Sequence, residues 1–172
     1  GIDDIRPFVF MQGDMPIYAL ARVIEELKRR FAYIFATENR YPGAPSVVIH
    51  QVEDTPFEVR GKRIIPVQVQ HGKLPILGYR IDDLAYITDA KYIAEEALEK
   101  LKGVKVLVLN CLRKEPHPTH LNLEEALAIV GKINPQRTYF THISQTFGFH
   151  AEVERELPSG VFLAYDGLRI NC

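Results

Sequence analysis

Between Ile64 and Val69 apolar and polar positions alternate, with Ile65, Val67 and Val69 on one side, and this period of two predicts a strand with one buried face. His71 closes the run in phase with that face. The run LAYITD is apolar until Asp89 and passes at Ala90 into a helical pattern, which puts a carboxylate where a strand gives way to a helix. Val104 to Leu109 is unbroken apolar sequence, the mark of a strand covered on both sides. Thr138 to Thr141 reads as a short strand ending at His142, and Val161 to Tyr165 as a last strand after a Pro158-Ser159-Gly160 turn. Earlier in the chain, Ser46 to Val52 reads as a strand, and FEVRGKRIIPV as a hairpin around Arg60-Gly61-Lys62.

Helical spacing separates these runs. Leu20, Val23, Ile24, Leu27, Phe31 and Ile34 form one stripe of a helix predicted over Ile17 to Phe35. Ile93, Ala94, Ala97, Leu98 and Leu101 do the same over Lys91 to Lys102, with Gly103 as the stop. Asn122 with Glu125 three residues on is a capping box that opens a helix to about Ile133. A further helix is predicted from about Phe149 to Glu156. Strands and helices alternate, so the class is α/β, and residues 1–172 are expected to form a single domain.

Composition narrows the function classes. A chain of 172 residues, 47% hydrophobic and 25% charged, is long enough for one core. A net charge of −1 gives no basic footprint, so a nucleic-acid partner is not expected. Lys28-Arg29-Arg30 and Arg60 with Lys62-Arg63 read as solvated faces. Two cysteines, Cys111 and Cys172, provide neither a disulfide framework nor a zinc site, which fits a cytoplasmic protein. No apolar run reaches the ~18 residues of a membrane span.

Three strand ends carry His71, Asp89 and His142, and imidazole nitrogen with carboxylate oxygen is the donor set that zinc, manganese and iron share. Each has an ordinary alternative. Asp89 can cap the helix after it, and a histidine at a strand end can be a hydrogen-bonded surface residue. His50, inside a strand, and His150, on a helix, are read as structural. His117 and His120 lie in PHPTH, a proline-stiffened loop after the buried strand. His120 there is either a proton donor over a cleft or a part of the turn into the next helix, whereas His117 is read as part of the turn.

The strings VQVQHG, GYRIDDLAYITDA, LNCLRKEPHPTHLNLEEAL, RTYFTHIS and LAYDGLRI, in that order, resemble the C-terminal two-thirds of a metallo-β-lactamase αββα sandwich. The resemblance is greatest to the phosphoribosyl cyclic phosphodiesterases of phosphonate metabolism and more distant to ribonuclease Z. It implies a metal-dependent hydrolase, a phosphodiesterase acting on a small phosphodiester with a hydroxide held between two metal ions, zinc or manganese. It implies that His71, Asp89 and His142 are metal ligands, with Asp89 shared by both ions. The loop histidine near the leaving group falls on His120, and Tyr79 and Arg80, expected beside the cleft, are the candidates to touch phosphate. Arg80 has the alternative of pairing with Asp82 or Asp83.

Two departures from the family pattern shape the expectation. Relatives carry an HxHxDH signature upstream of a GxDDxRPF-like segment, whereas GIDDIRPF opens this sequence. The chain is therefore expected to be an N-terminally truncated form with little activity, holding its metals weakly or not at all. Gln145 stands where a second histidine of a THxSH string is expected. The alternatives are another hydrolase on the same fold, acting on a thioester, lactone or RNA, and a non-catalytic half-sandwich that pairs its sheet with a second copy as a homodimer.

Overall fold

A computed structural model describes residues 1–171. The chain resolves into two compact units, Gly1–Glu53 and the segment from Asp54 onward. In the first unit a single turn over Ile2–Ile5 leads into α1 (Arg6–Gln12), β1 (Met15–Ala19), α2 (Ala21–Arg30), α3 (Ala32–Phe35) and β2 (Val47–Gln51). β1 and β2 pair in parallel, from Met15 opposite Val47 to Ala19 opposite Gln51. This corrects the helix predicted from Ile17. Residues Ile17 to Ala19 satisfy their backbone groups in a strand ladder, and Tyr18 stacks on His50 at 4.6 Å between ring centroids. Tertiary pairing has overridden the local periodicity. From Ala21 on the chain is helical but breaks at Phe31, which ends α2 and precedes α3; of the predicted stripe Ile24 and Ile34 are buried and Val23 is exposed.

The second unit is built on a seven-stranded sheet among the described residues, in the order β3 (Phe57–Val59), β4 (Lys62–His71), β5 (Leu74–Ile81), β6 (Leu84–Ile87), β7 (Val106–Asn110), β8 (Arg137–Thr141) and β9 (Val161–Leu163). β3 to β6 pair antiparallel, and β6 to β9 pair parallel. Three helices make the parallel crossovers: α4 (Glu95–Glu99), α5 (Leu123–Ile133) and α6 (His150–Glu156). Ala85 and Ile87 on β6, Leu107 and Leu109 on β7, Phe140 on β8 and Val161 and Leu163 on β9 share one face and form the core with residues of the helices. Tyr86 and Phe162 point to the other face and stay exposed. β7 is buried at every position, as its unbroken apolar run predicts.

Two expectations change here. The LPILGYRI run is the strand β5, which the alternation reading passes over because it has no clear period of two. The helix expected from Ala90 begins only at Glu95, behind the N-cap Ala94. The intervening backbone goes elsewhere: Lys91 and Tyr92 N–H donate to Gln70 O at 2.7 and 3.2 Å, and Gln70 N–H donates to Tyr92 O at 2.9 Å. Asp89 is therefore not a helix cap.

α5 starts as the sequence predicts. Asn122 Oδ1 accepts from Glu125 N–H at 3.0 Å, and Glu125 Oε2 accepts from Asn122 N–H at 3.0 Å. Lys91 Nζ donates to both Glu125 oxygens at 2.6 and 2.8 Å. Asn122→Ala is expected to cost about 1 kcal/mol, as for other N-caps, read as a lower urea midpoint with an unchanged slope. Gly78 stands where β5 and β6 meet most closely: a Cβ there would lie 2.9 Å from Ile87 Cγ1 and 3.0 Å from Tyr86 O. Gly78→Ala is expected to destabilise by about 1–3 kcal/mol through overpacking, and an unchanged midpoint would show that the strands can part at no cost.

Candidate metal centre

β4 runs antiparallel to β5 and β5 antiparallel to β6, so β4 and the parallel strands all end at the same edge of the sheet. That edge carries the candidate residues. His71 is the last residue of β4 and pairs with Leu74 across the Gly72-Lys73 turn. Gly72 has φ +60°, and a Cβ there would lie 3.1 Å from Thr119 Cγ2. Glycine thus serves both the turn and the approach of the loop that carries His120. Asp89 lies just past β6 with φ +60°, and His142 just past β8 with φ +58°. Residues other than glycine adopt this region sparingly, at a cost of roughly 1–3 kcal/mol, and tend to do so at functional sites.

The side chains converge. His71 Nε2 lies 3.4 Å from His120 Nε2, and His142 Nε2 lies 3.3 Å from Asp89 Oδ1. His120 Nδ1 is 3.9 Å from the same Asp89 oxygen. Donor atoms of His71, Asp89 and His120 all lie within 4.8 Å of one another. The other Asp89 oxygen, Oδ2, accepts from Thr88 Oγ1 at 3.2 Å. The ring of His120 lies 4.6 Å from that of His142, 4.8 Å from that of His71 and 5.0 Å from that of His117.

The donor set fits a divalent cation. Two ligands each about 2.0–2.1 Å from a tetrahedral zinc are about 3.3–3.4 Å apart, and the Asp89–His142 separation of 3.3 Å matches that edge. His120 Nδ1 is buried with no hydrogen-bond partner, a costly state for a polar atom unless a ligand meets it. The His120 pKa is lowered, first by burial, then by the positive charge His142 and His71 acquire on protonation, while Asp89 pulls it upward.

The sequence expectation is met for the convergence of His71, Asp89 and His142 with His120, and not for Tyr79 and Arg80. On the β4–β5 ladder Tyr79 pairs with Pro66 and Arg80 with Ile65, far from His71. His71 is five positions along the strand from Pro66, roughly 17 Å at about 3.4 Å per residue. Arg80 is engaged at that distant edge: its guanidinium donates to Lys100 O at 2.8 Å, Lys102 O at 2.7 Å and Asp82 O at 3.1 Å. Tyr79 packs edge-on against Phe57. β5 reverses direction between them and the site, which a reading without β5 does not register. His117 shapes its turn, as expected, with Nδ1 accepting from Thr119 N–H at 3.3 Å, but its ring also packs on His120. Thr88 and Gly72 are the neighbours the sequence reading missed; a hydroxyl beside the carboxylate and a glycine after the histidine were the available signals.

Residues 1–143 match the family described as the β-lactamase superfamily domain. The crystal structure of a diphosphatase from the PhnP family is 39% identical, with a TM-score of 0.88 over all of this chain and 66% of that one. The metallo-β-lactamase fold protein YhfI from Bacillus subtilis is 20% identical, with a TM-score of 0.72 over 97% of this chain and 71% of that one. Among curated proteins, an octanoyltransferase of Porphyromonas gingivalis is 36% identical over 170 residues, which is 98% of this chain and 34% of that protein. The chain thus spans about a third of that relative's length and just under two thirds of the diphosphatase's. With the match covering most of its residues, and strand ends that gather histidines around one carboxylate, the chain belongs to the β-lactamase superfamily and has the metallo-β-lactamase fold.

Proposed function

We propose that this chain carries the metal-binding edge of a hydrolase that cleaves a phosphodiester or diphosphate link in a small substrate. The observation that carries the proposal is the convergence of His71, Asp89, His120 and His142 from separate strand ends, with His120 Nδ1 buried and unpaired. The choice of phosphorus over carbon chemistry is supported by the 39% identical diphosphatase. The octanoyltransferase name belongs to a protein about three times as long. Among the described residues the one cysteine, Cys111, is buried, with its thiol pushed up to about 12 by desolvation, so it offers no thiolate to an acyl group.

In this reading His71, His142 and Asp89 would hold the metal, with Asp89 Oδ1 facing the histidines while Thr88 donates to Oδ2. Zinc or manganese held there would supply a Lewis acid for the phosphoryl oxygens and would lower the pKa of bound water toward neutrality. His120 gives its proton to the leaving oxygen. A pKa held down by burial makes the protonated ring a stronger acid, and a scarcer one. The rings of His71 and His142 both pack against that of His120, 4.8 and 4.6 Å away. Tyr79 and Arg80 take no part.

The test is hydrolysis of bis(p-nitrophenyl) phosphate and of a diphosphate diester, with Mn²⁺ or Zn²⁺, by the chain joined to an upstream segment that carries the HxHxDH signature. Turnover that a chelator abolishes and metal restores is expected, and no release from either substrate would overturn the proposal. His120→Ala is expected to lower kcat about 10²- to 10⁴-fold with little change in KM, and an unchanged kcat would remove His120 from proton transfer.

His120 also predicts a pH dependence of stability in the metal-free protein. Its folded pKa lies below the ordinary histidine value, so below about pH 6.5 the unfolded chain takes up a proton that the folded one resists. Stability is expected to fall as pH drops from about 6.5 toward the folded value. Thermal melts of metal-free protein should show this loss, shallower in His120→Gln; equal slopes would place the titration elsewhere.

A further inference from the structure

We infer that Asn110 is a positioning residue that fixes Asp89 and His120 relative to each other. It closes β7 and is wholly buried, one of the few polar side chains inside the sheet. Its amide makes two bonds to a single residue: Ala90 N–H donates to Asn110 Oδ1 at 2.7 Å, and Asn110 Nδ2 donates to Ala90 O at 2.8 Å. Ala90 follows Asp89 directly.

The need for this contact comes from the ladder. β6 and β7 pair in parallel only as far as Ile87 opposite Leu109, and the chain then turns through the left-handed Asp89. Ala90 is fully buried beyond that point, where its N–H and C=O have no strand partner. Buried peptide groups must be paired. The Asn110 amide has the donor and acceptor of a peptide group and takes the place of the missing strand. Aspartate lacks the donor and leucine lacks both, so asparagine is the residue of this size that fits.

The second half of the clamp reaches His120. Ala90 O also accepts from Leu121 N–H at 2.9 Å, and Leu121 follows His120 directly. Leu121 O in turn accepts from Leu112 N–H at 3.0 Å, and Cys111 N–H donates to Thr141 O, next to His142, at 2.9 Å. The end of β7 therefore sets Asp89 and His120 through one carbonyl, and the same stretch of backbone reaches the residue before His142. Asn110 touches none of the site side chains and acts through Ala90. The inference rests on the proposed metal centre for what the positioning serves, while the positioning itself can be observed without metal.

The experiment uses Asn110→Ala in the full chain, with amide hydrogen exchange of the metal-free protein and cobalt(II) titration followed by visible absorption. Exchange at both Ala90 and Leu121 is expected to quicken, and cobalt affinity to fall about 10-fold or more, the size seen when supports of metal ligands are removed. Ile133→Ala, a buried truncation at the far end of α5, serves as the stability control. It is expected to lower the melting temperature and leave cobalt affinity unchanged. Unchanged exchange at Leu121 in Asn110→Ala, or quickened exchange with unchanged cobalt affinity, would overturn the inference, the second because Asn110 would then serve stability alone. If the parent chain binds no cobalt, the metal-centre reading fails, and exchange at Ala90 and Leu121 decides the positioning by itself. Should Asn110→Ala not fold, Asn110→Asp, which keeps an acceptor for Ala90 N–H and loses the donor to Ala90 O, carries the same readouts.

Discussion

Where a parallel ladder ends inside a protein, the next peptide groups are buried and have lost their strand partner, and each left unpaired costs on the order of 1–3 kcal/mol. The site of this protein grows out of that constraint. Past Ile87 the chain leaves β6, and Ala90 would stand with two orphaned backbone groups inside the core. The Asn110 amide and the Leu121 N–H pair them, and only with those bonds in place can Asp89 persist at φ +60° with its carboxylate turned toward three histidines. The left-handed backbone of Asp89 is followed directly by the doubly bonded Ala90, and that of His142 is preceded by Thr141, whose carbonyl accepts from Cys111 N–H.

Much of this was legible in the residues. The apolar run Val104 to Leu109 announces a strand buried on both faces, and the Asn122–Glu125 box announces the start of α5. His71, Asp89 and His142 can be placed at strand ends by periodicity alone. What periodicity could not reveal was direction. β5 lacks clear alternation because LPILGYRI sits between two antiparallel neighbours and is half-buried along much of its length, so its reversal was missed and Arg80 was placed at the wrong edge. β1 was hidden for a different reason: Ile17 to Ala19 fall in phase with the helical stripe that follows, and only pairing with β2 decides between them. Asn110 carried a readable signal, a polar residue closing an all-apolar run, but its partner lies 20 residues away along the chain and only the fold brings them together.

The electrostatics of the cluster favour a bound cation over protonated imidazoles. The rings of His71, His117 and His142 each lie within 4.6–5.0 Å of the His120 ring, beside one carboxylate. Protonating one makes the next harder to protonate, which is why the charges of His142 and His71 push the His120 pKa down. Neutral imidazoles with free nitrogen lone pairs are what a divalent ion requires of its ligands. Burial and the neighbouring histidines thus work against a proton on His120, while the Asp89 carboxylate works for one.

The displaced start of α4 completes the picture. A carboxylate directly ahead of a helix commonly spends its oxygens on the exposed N–H groups of the first turn. Here α4 waits until Glu95 behind Ala94, and in the backbone between it and Asp89 the Lys91 and Tyr92 groups pair with Gln70, the neighbour of His71. Asp89 Oδ1 is left to face His120 and His142, and the residues that free it also tie its loop to the strand that ends in His71. Had the helix begun at Ala90, as local periodicity favours, the carboxylate would have been drawn into capping and the contact with β4 lost. The departure from helical preference over five residues keeps Asp89 available as a ligand and couples its position to that of His71.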